Sequence, residues 1–281
     1  MGDLITDVVV HLERDPTRGT DTPAQIITAR GGSAANVAVA VTAAGGVGRF
    51  VGSVGEDSAG DILLSDLDAR GVESHVARVG TTGTIVVLVD ASGERSFLTD
   101  RGASTQLASI PPNALDDVDL LHIPAYSFTE SPLAETAEHI IGAAVDAGIP
   151  VSISTSSVAA LQLYGREPFL GLLGAIRPAY VIANSAEYAY LMAGHPWIRE
   201  AEATVITNGA RAAVVRQPDG SEVRVSPTPT DALDTTGAGD AFTGGFLVAR
   251  ARGEDYETAL HAGHDLAAQT LDQAGAELGS E

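Results

Sequence analysis

Asp234-Thr-Thr-Gly-Ala-Gly-Asp-Ala-Phe-Thr-Gly-Gly-Phe246 lies after a β-hairpin pattern and runs into an apolar stretch that ends at Ala251. Gly237-Ala-Gly239 lets backbone approach an anion closely, and a helix beginning near Asp240 would aim its free amides and positive dipole end at that anion. The result is a phosphate cradle that needs no lysine. A carboxylate is a poor choice beside phosphate unless it faces an incoming hydroxyl and accepts its proton. A bare Gly-x-Gly-Asp reads as a capped helix on a tight turn. The full string reads as chemistry, with Asp240 as base and Gly237, Ala238 and Gly239 as the anion-binding backbone.

The rest of the chain fits such a site. Its 281 residues carry a net charge of −21, and the arginines are dispersed, so a nucleic-acid backbone would be repelled. With no cysteine, thiol nucleophiles, disulfides and thiolate metal sites are excluded. All 16 basic residues are arginine. Without lysine there is no Walker A lysine, no lysine of the protein-kinase type and no Schiff base. No apolar run approaches the roughly 18 residues that cross a bilayer. The acidic start, Met1-Gly-Asp-Leu-Ile-Thr-Asp7, is unlike a secretory signal, so a cytoplasmic location is expected.

Outward from the glycine-rich string, short apolar runs at Arg49–Val54, Leu120–Ile123, Val151–Ile153, Tyr180–Ala183 and Thr204–Thr207 alternate with helical patterns near 58–70, 132–147 and 185–193. That alternation predicts an α/β fold around a largely parallel sheet. Gly31-Gly-Ser-Ala-Ala-Asn36 opens a run of small residues to Ala44, with Ser33 as expected N-cap, and predicts a helix packed closely on a neighbour. Two hairpins break the series, Thr84–Asp90 with Glu94–Thr99 and Ala212–Arg216 with Glu222–Val225. The first, together with 9–30, suggests a small separate sheet.

The 234–240 string resembles the C-terminal signature of the ribokinase (PfkB) family, and Gly31-Gly32…Asn36 is a second, shorter match. The resemblance implies a three-layer α/β/α core with a mainly parallel sheet plus a small β-sheet lid. Residues 1–8, 31–75 and 104–281 would form the core, and 9–30 and 76–103 the lid. It implies an ATP-dependent kinase that transfers the γ-phosphoryl group to a hydroxyl of a sugar or nucleoside-like molecule, with Asp240 as general base. Asp7, Gly31, Gly32 and Asn36 fall where the family contacts substrate hydroxyls, and Arg101 is a further substrate candidate. Asn184-Ser-Ala-Glu187 resembles the family's Asn-x-x-Glu motif, which implies Mg²⁺ held through water at Glu187. Asn184, Thr207, Gly209 and His264 match nucleotide-contacting positions. Asp234 and Thr236 match ligands of the monovalent cation, typically K⁺, that some relatives bind. A homodimer through the lid is a further expectation.

Two departures stand out. Relatives carry a full apolar strand before the Gly-Asp pair, whereas Met1 directly precedes Gly2, so the first strand is short or begins upstream. Ser154-Thr155 replaces a common Asp-Pro pair. A nucleoside kinase of the same fold and a weak or non-catalytic sugar- or nucleotide-binding paralogue are the competing readings. A dinucleotide oxidoreductase is set aside because Gly46-Val-Gly48 has Val51 where the third glycine belongs. His261 and His264 lack a third metal ligand and read as a solvated helix.

Overall fold

The computed structural model describes residues 1–193, 198, 200–229 and 237–271. Strands β1 (Ile5–Leu12), β2 (Ala24–Gly31), β5 (Thr82–Val89) and β6 (Arg95–Gly102) form one sheet in the order β2-β1-β5-β6. The other strands divide into the parallel pair β3 (Arg49–Val54) and β4 (Glu73–Arg78), and a six-stranded sheet. That sheet has the order β12-β11-β10-β9-β8-β7. Its members β7 (Leu121–Pro124), β8 (Val151–Ser154), β9 (Tyr180–Asn184) and β10 (Ala203–Asn208) run parallel. β11 (Arg211–Arg216) and β12 (Glu222–Val225) extend it antiparallel.

The parallel pair and the six-stranded sheet meet at the first three residues. The Gly2 amide donates to the Val51 carbonyl of β3 at 3.0 Å, and the Met1 amine donates to the His122 carbonyl of β7 at 2.9 Å. Met1–Asp3 thus runs between β3 and β7, where a central strand would lie. Leu4, fully buried, anchors it in the core.

Side-chain alternation divides the apolar residues between two faces. Ile123, Ile153 and Val181 pack under helices α3 (Leu133–Asp146), α4 (Val158–Tyr164), α5 (Arg166–Ile176) and α6 (Ser185–Leu191). Phe50, Tyr180, Ile182 and Val205 pack under α1 (Ser33–Ala43), α2 (Ser58–Ala69), α7 (Ala238–Ala251) and α8 (Tyr256–Leu271). Helix α3 shows why: Leu133, Ala137, Ile140, Ile141 and Ala144 recur at helical spacing and are buried. Each fully buried Leu or Ile contributes about 1.5–3 kcal/mol. The three-layer core is complete.

The contact that matters most for the site is between α1 and α7. A Cβ added at Gly244 would lie 2.4 Å from the Ala40 Cβ, so the two helices approach through glycine and alanine. This explains the run of small residues after Gly32, and it sets Asn36 opposite Asp240.

The strand pairing moves two expected boundaries. Ile5 pairs with Gly31 and Val8 with Thr28, so residues 5–8 belong to the small sheet rather than the core. Conversely, Val76–Arg78 complete β4 on the core side. Among the described residues no helix is long and apolar enough to cross a membrane.

Candidate active site

Helix α7 begins with Gly237 as its N-cap, at φ 79°, a left-handed conformation that strains any side chain. The first helical bond runs from the Ala241 amide to the Gly237 carbonyl, so the amides of Ala238, Gly239 and Asp240 belong to the turn that points outward. An added Cβ at Gly239 would meet nothing within 4 Å, which leaves open space at this end of the helix. Asp240 does not cap α7. Its Oδ1 accepts from Ser33 Oγ at 2.7 Å and its Oδ2 from Asn36 Nδ2 at 3.1 Å. Burial pushes its carboxyl up to about 6, against the opposing pull of these two hydrogen bonds and the charge of Arg30. Ser33, expected as the N-cap of α1, serves Asp240 instead, and Gly32 is the cap.

Asp7 sits on β1, facing the same space. A Cβ on Gly31 would fall 2.3 Å from Asp7 Oδ1, so the glycine makes room for the carboxylate. Gly32, at φ 99°, would push a Cβ to 2.3 Å from the Asp3 carbonyl. The Asp7 carboxyl is raised to about 6, first by burial and then by the negative charge of Asp240, with Arg30 opposing both. Asp7 Oδ1 is buried and has no hydrogen-bond partner among the described residues. A buried acceptor left unpaired costs about 1–3 kcal/mol, and this oxygen is free among the described residues to accept a further hydrogen bond.

A carboxylate at a helix N-terminus, a second buried carboxyl close enough to feel its charge and an amide bonded to the first bring together groups that can bind a hydroxyl and accept its proton. The family description "pfkB family carbohydrate kinase" matches residues 1–281. The chain belongs to that family. An ATP-dependent ribose-1-phosphate kinase of Halopiger xanaduensis is 30% identical over 98% of this chain and 92% of its own length. The ribokinase of Bacillus subtilis is 28% identical over 99% and 94%. Among solved structures, a putative ribokinase II from E. coli in complex with ATP and Mg²⁺ superposes with TM-score 0.85 at 20% identity, covering 98% of this chain and 92% of that one. The protein is therefore an ATP-dependent carbohydrate kinase on a ribokinase-like fold.

The kinase brings its other motif residues to the carboxyl ends of the parallel strands, where ligands bind in open α/β sheets. Thr207 on β10 pairs in register with Asn184 on β9, and Gly209 follows at φ 55° in the turn beyond. Asn184 and Glu187 form a capping box. The Asn184 side chain accepts from the amides of Ala186 and Glu187, and Glu187 accepts from the Asn184 amide. Glu187 is buried at 6% exposure and accepts from Asn184 Nδ2 at 2.6 Å and from Thr155 Oγ1 at 2.5 Å. The Ser154-Thr155 departure thus has a role: Thr155 fastens the carboxylate of the Asn-x-x-Glu motif. Ser154 Oγ is buried with no partner among the described residues.

Among the described residues no three His, Cys, Asp or Glu side chains cluster to hold a metal directly. Glu187 has three of its acceptor sites taken, which fits contact with Mg²⁺ through water rather than direct ligation. Asp234 and Thr236 lie outside the described residues.

Two expectations need correction. Arg101 is not a free substrate ligand. Its five N–H groups donate to both Asp3 oxygens, Thr129 Oγ1, Glu130 and the Tyr126 carbonyl, which consumes all its donors. It clamps the exit of the small sheet to the start of the chain. The helix carrying His264 is not solvated there. His264 is buried, its Nε2 lies 3.1 Å from the Val225 carbonyl, and its ring meets Phe242 edge-on at 5.2 Å. Burial lowers its basicity.

Ser33, Arg30 and Thr155 were not singled out from the sequence as site residues. The signal for Arg30 was its place immediately before the glycine pair.

Proposed function

We propose that this kinase phosphorylates a hydroxyl of a ribose-like sugar, seated between Asp7 on the small sheet and Asp240 on α7. The observation that carries this reading is the unpaired, buried Asp7 Oδ1 facing a carboxylate that already has two donors in place. One acceptor hydroxyl donates to Asp7. The reacting hydroxyl lies against Asp240, which is ionised at neutral pH because its carboxyl titrates near 6. As the hydroxyl oxygen forms its bond to the γ-phosphorus, its proton passes to Asp240. The bond from phosphorus to the β-phosphate bridging oxygen breaks, and ADP leaves. The Ala238 and Gly239 amides face the charge that builds on the transferred group.

ATP is placed along the ends of β9 and β10, near Asn184, Thr207 and Gly209. Glu187 would hold Mg²⁺ through water, and the ion would supply positive charge against the phosphates. The ribose-1-phosphate kinase of Halopiger xanaduensis supports a furanose acceptor. Ile26, Phe97 and Leu98, all exposed on the small sheet, support a homodimer formed through it.

The test is ATP-dependent phosphorylation of ribose, ribose-1-phosphate, fructose and adenosine, read as ADP release, with Asp240→Asn alongside. Turnover of at least one furanose, lost in the Asn variant, is expected. Saturable sugar binding with no turnover of any acceptor would favour the binding paralogue, and preference for adenosine would favour the nucleoside kinase.

A further inference from the structure

Arg30 has no part in the chemistry described so far, yet it stands one residue from the substrate-facing glycines. It lies near the end of β2, and its side chain is 5% exposed. Its Nη1 meets Asp66 Oδ2 of α2 at 2.5 Å, and its Nε donates to Asn36 Oδ1 at 3.2 Å. Asn36 passes the contact on through Nδ2 to Asp240. Asp66 also accepts from Arg70 at 3.0 Å. A relay therefore runs from α2 through β2 and α1 to α7.

We propose that Arg30 is a positioning residue for the general base: it fixes the Asn36 amide and supplies the standing positive charge of the acceptor pocket. The inference rests on Asp240 being the base. An asparagine amide has two ends of similar shape, and only its hydrogen-bond partners decide which way it points. Guanidinium is purely a donor, so its contact with Asn36 turns the oxygen towards Arg30 and leaves the NH₂ for the carboxylate. Without Arg30 the amide can rotate and present its oxygen to Asp240, which would repel the ionised form. The fork geometry holds Asp66 and Asn36 at once, which an ammonium group does poorly.

The charge matters separately. Asp7 on β1 and Asp240 on α7 are like charges in one pocket, and Arg30 opposes the rise in both their pKa values. Among the described residues Asp66 of α2 and Arg70 at its C-terminal cap are the other charged groups that act on Arg30, with opposite sign, and Asn36 faces it from α1 as a neutral group. Burial makes such a charge costly unless paired, and Asp66 is the partner that keeps it ionised.

The two roles separate by experiment. In Arg30→Met the acid limb of the kcat profile should move up by about half to one pH unit, as expected for loss of a nearby opposite charge. The plateau kcat should fall about tenfold, with a smaller change in KM, because the base is misdirected rather than the substrate lost. Arg30→Lys should restore the acid limb but not the plateau. Asp66→Asn, which leaves Arg30 less neutralised, should move the limb the opposite way. If Arg30→Met does not fold, as read by circular dichroism, the Lys and Asp66→Asn variants decide. A Lys variant with full plateau activity, or an unmoved limb in Asp66→Asn, overturns the proposal. An Arg30→Met enzyme with wild-type limb and plateau, while Asp240→Asn is inactive, also overturns it. If instead Asp240→Asn retains turnover, the base assignment fails whatever Arg30 does.

Discussion

Replacing Asp240 by asparagine should destroy activity and, at neutral pH, make the protein more stable. A carboxyl raised from 3.8 to about 6 carries roughly 3 kcal/mol of unfavourable ionisation once both folded and unfolded chains are deprotonated. The folded chain binds this proton more tightly than the unfolded chain. Stability is therefore lost as pH rises from about 4 through 6, and the loss is complete above that range. Asparagine removes the charge, but its NH₂ end cannot accept from Asn36 or Ser33, so one hydrogen bond to a charged group, about 1.5 kcal/mol, is forfeited. The net gain at pH 8 is about 1–2 kcal/mol, or several degrees in Tm at roughly 2–4 °C per kcal/mol. At pH 4 the gain should vanish and the lost hydrogen bond should show as a small deficit. Paired melts of wild type and Asp240→Asn from pH 4 to pH 8, with ADP release assayed at pH 7.5, supply the data. A Tm difference that does not change with pH would refute the claim that burial of an ionised Asp240 strains the fold.

Asp7→Asn should raise the KM for sugar about 10–100-fold with a smaller loss of kcat, because it weakens a binding contact held throughout the reaction; initial rates across sugar concentrations check this. Thr155→Val leaves the buried Glu187 short of one donor, so urea unfolding should register a loss of about 1–3 kcal/mol, and half-maximal activity should need more Mg²⁺. Gly32→Ala combines a positive φ with a clash against the Asp3 carbonyl, and should cost about 2 kcal/mol or more in the same assay.

Much of this site could be read in the chain because its signals are local. The Asp234–Asp240 string is a loop and helix start whose glycines carry their own conformational meaning, and Gly31-Gly32…Asn36 is a strand end and first helical turn. The alternation that predicts an α/β core depends only on which neighbours along the chain are apolar. What escaped depends on contacts between distant segments. Arg30 reaches Asp66 and, through Asn36, Asp240, which no spacing along the sequence encodes. Arg101 looked available because an arginine on a strand usually is; the five acceptors gathered from residues 3, 126, 129 and 130 become visible only once the chain is folded. Ser33 has the sequence signature of a cap because serine before a helix commonly caps it, and the approach of α7 gives it a stronger acceptor. Strand β4 carries no strand signal in the sequence because Glu73-Ser-His-Val-Ala-Arg78 is mostly polar and only partly buried.

One consequence of the sheet pairing reaches beyond the chemistry. Asp7 rides on β1, a strand of the small sheet, whereas Asp240 is fixed to the core by the α1–α7 contact. These two carboxyls repel one another across the joint between the sheet and the core. A sugar whose hydroxyls satisfy both acts as a strut that turns mutual repulsion into a shared grip. Its arrival should therefore be felt along the whole ladder of β1 and β2, as slower amide hydrogen exchange well beyond the atoms it touches.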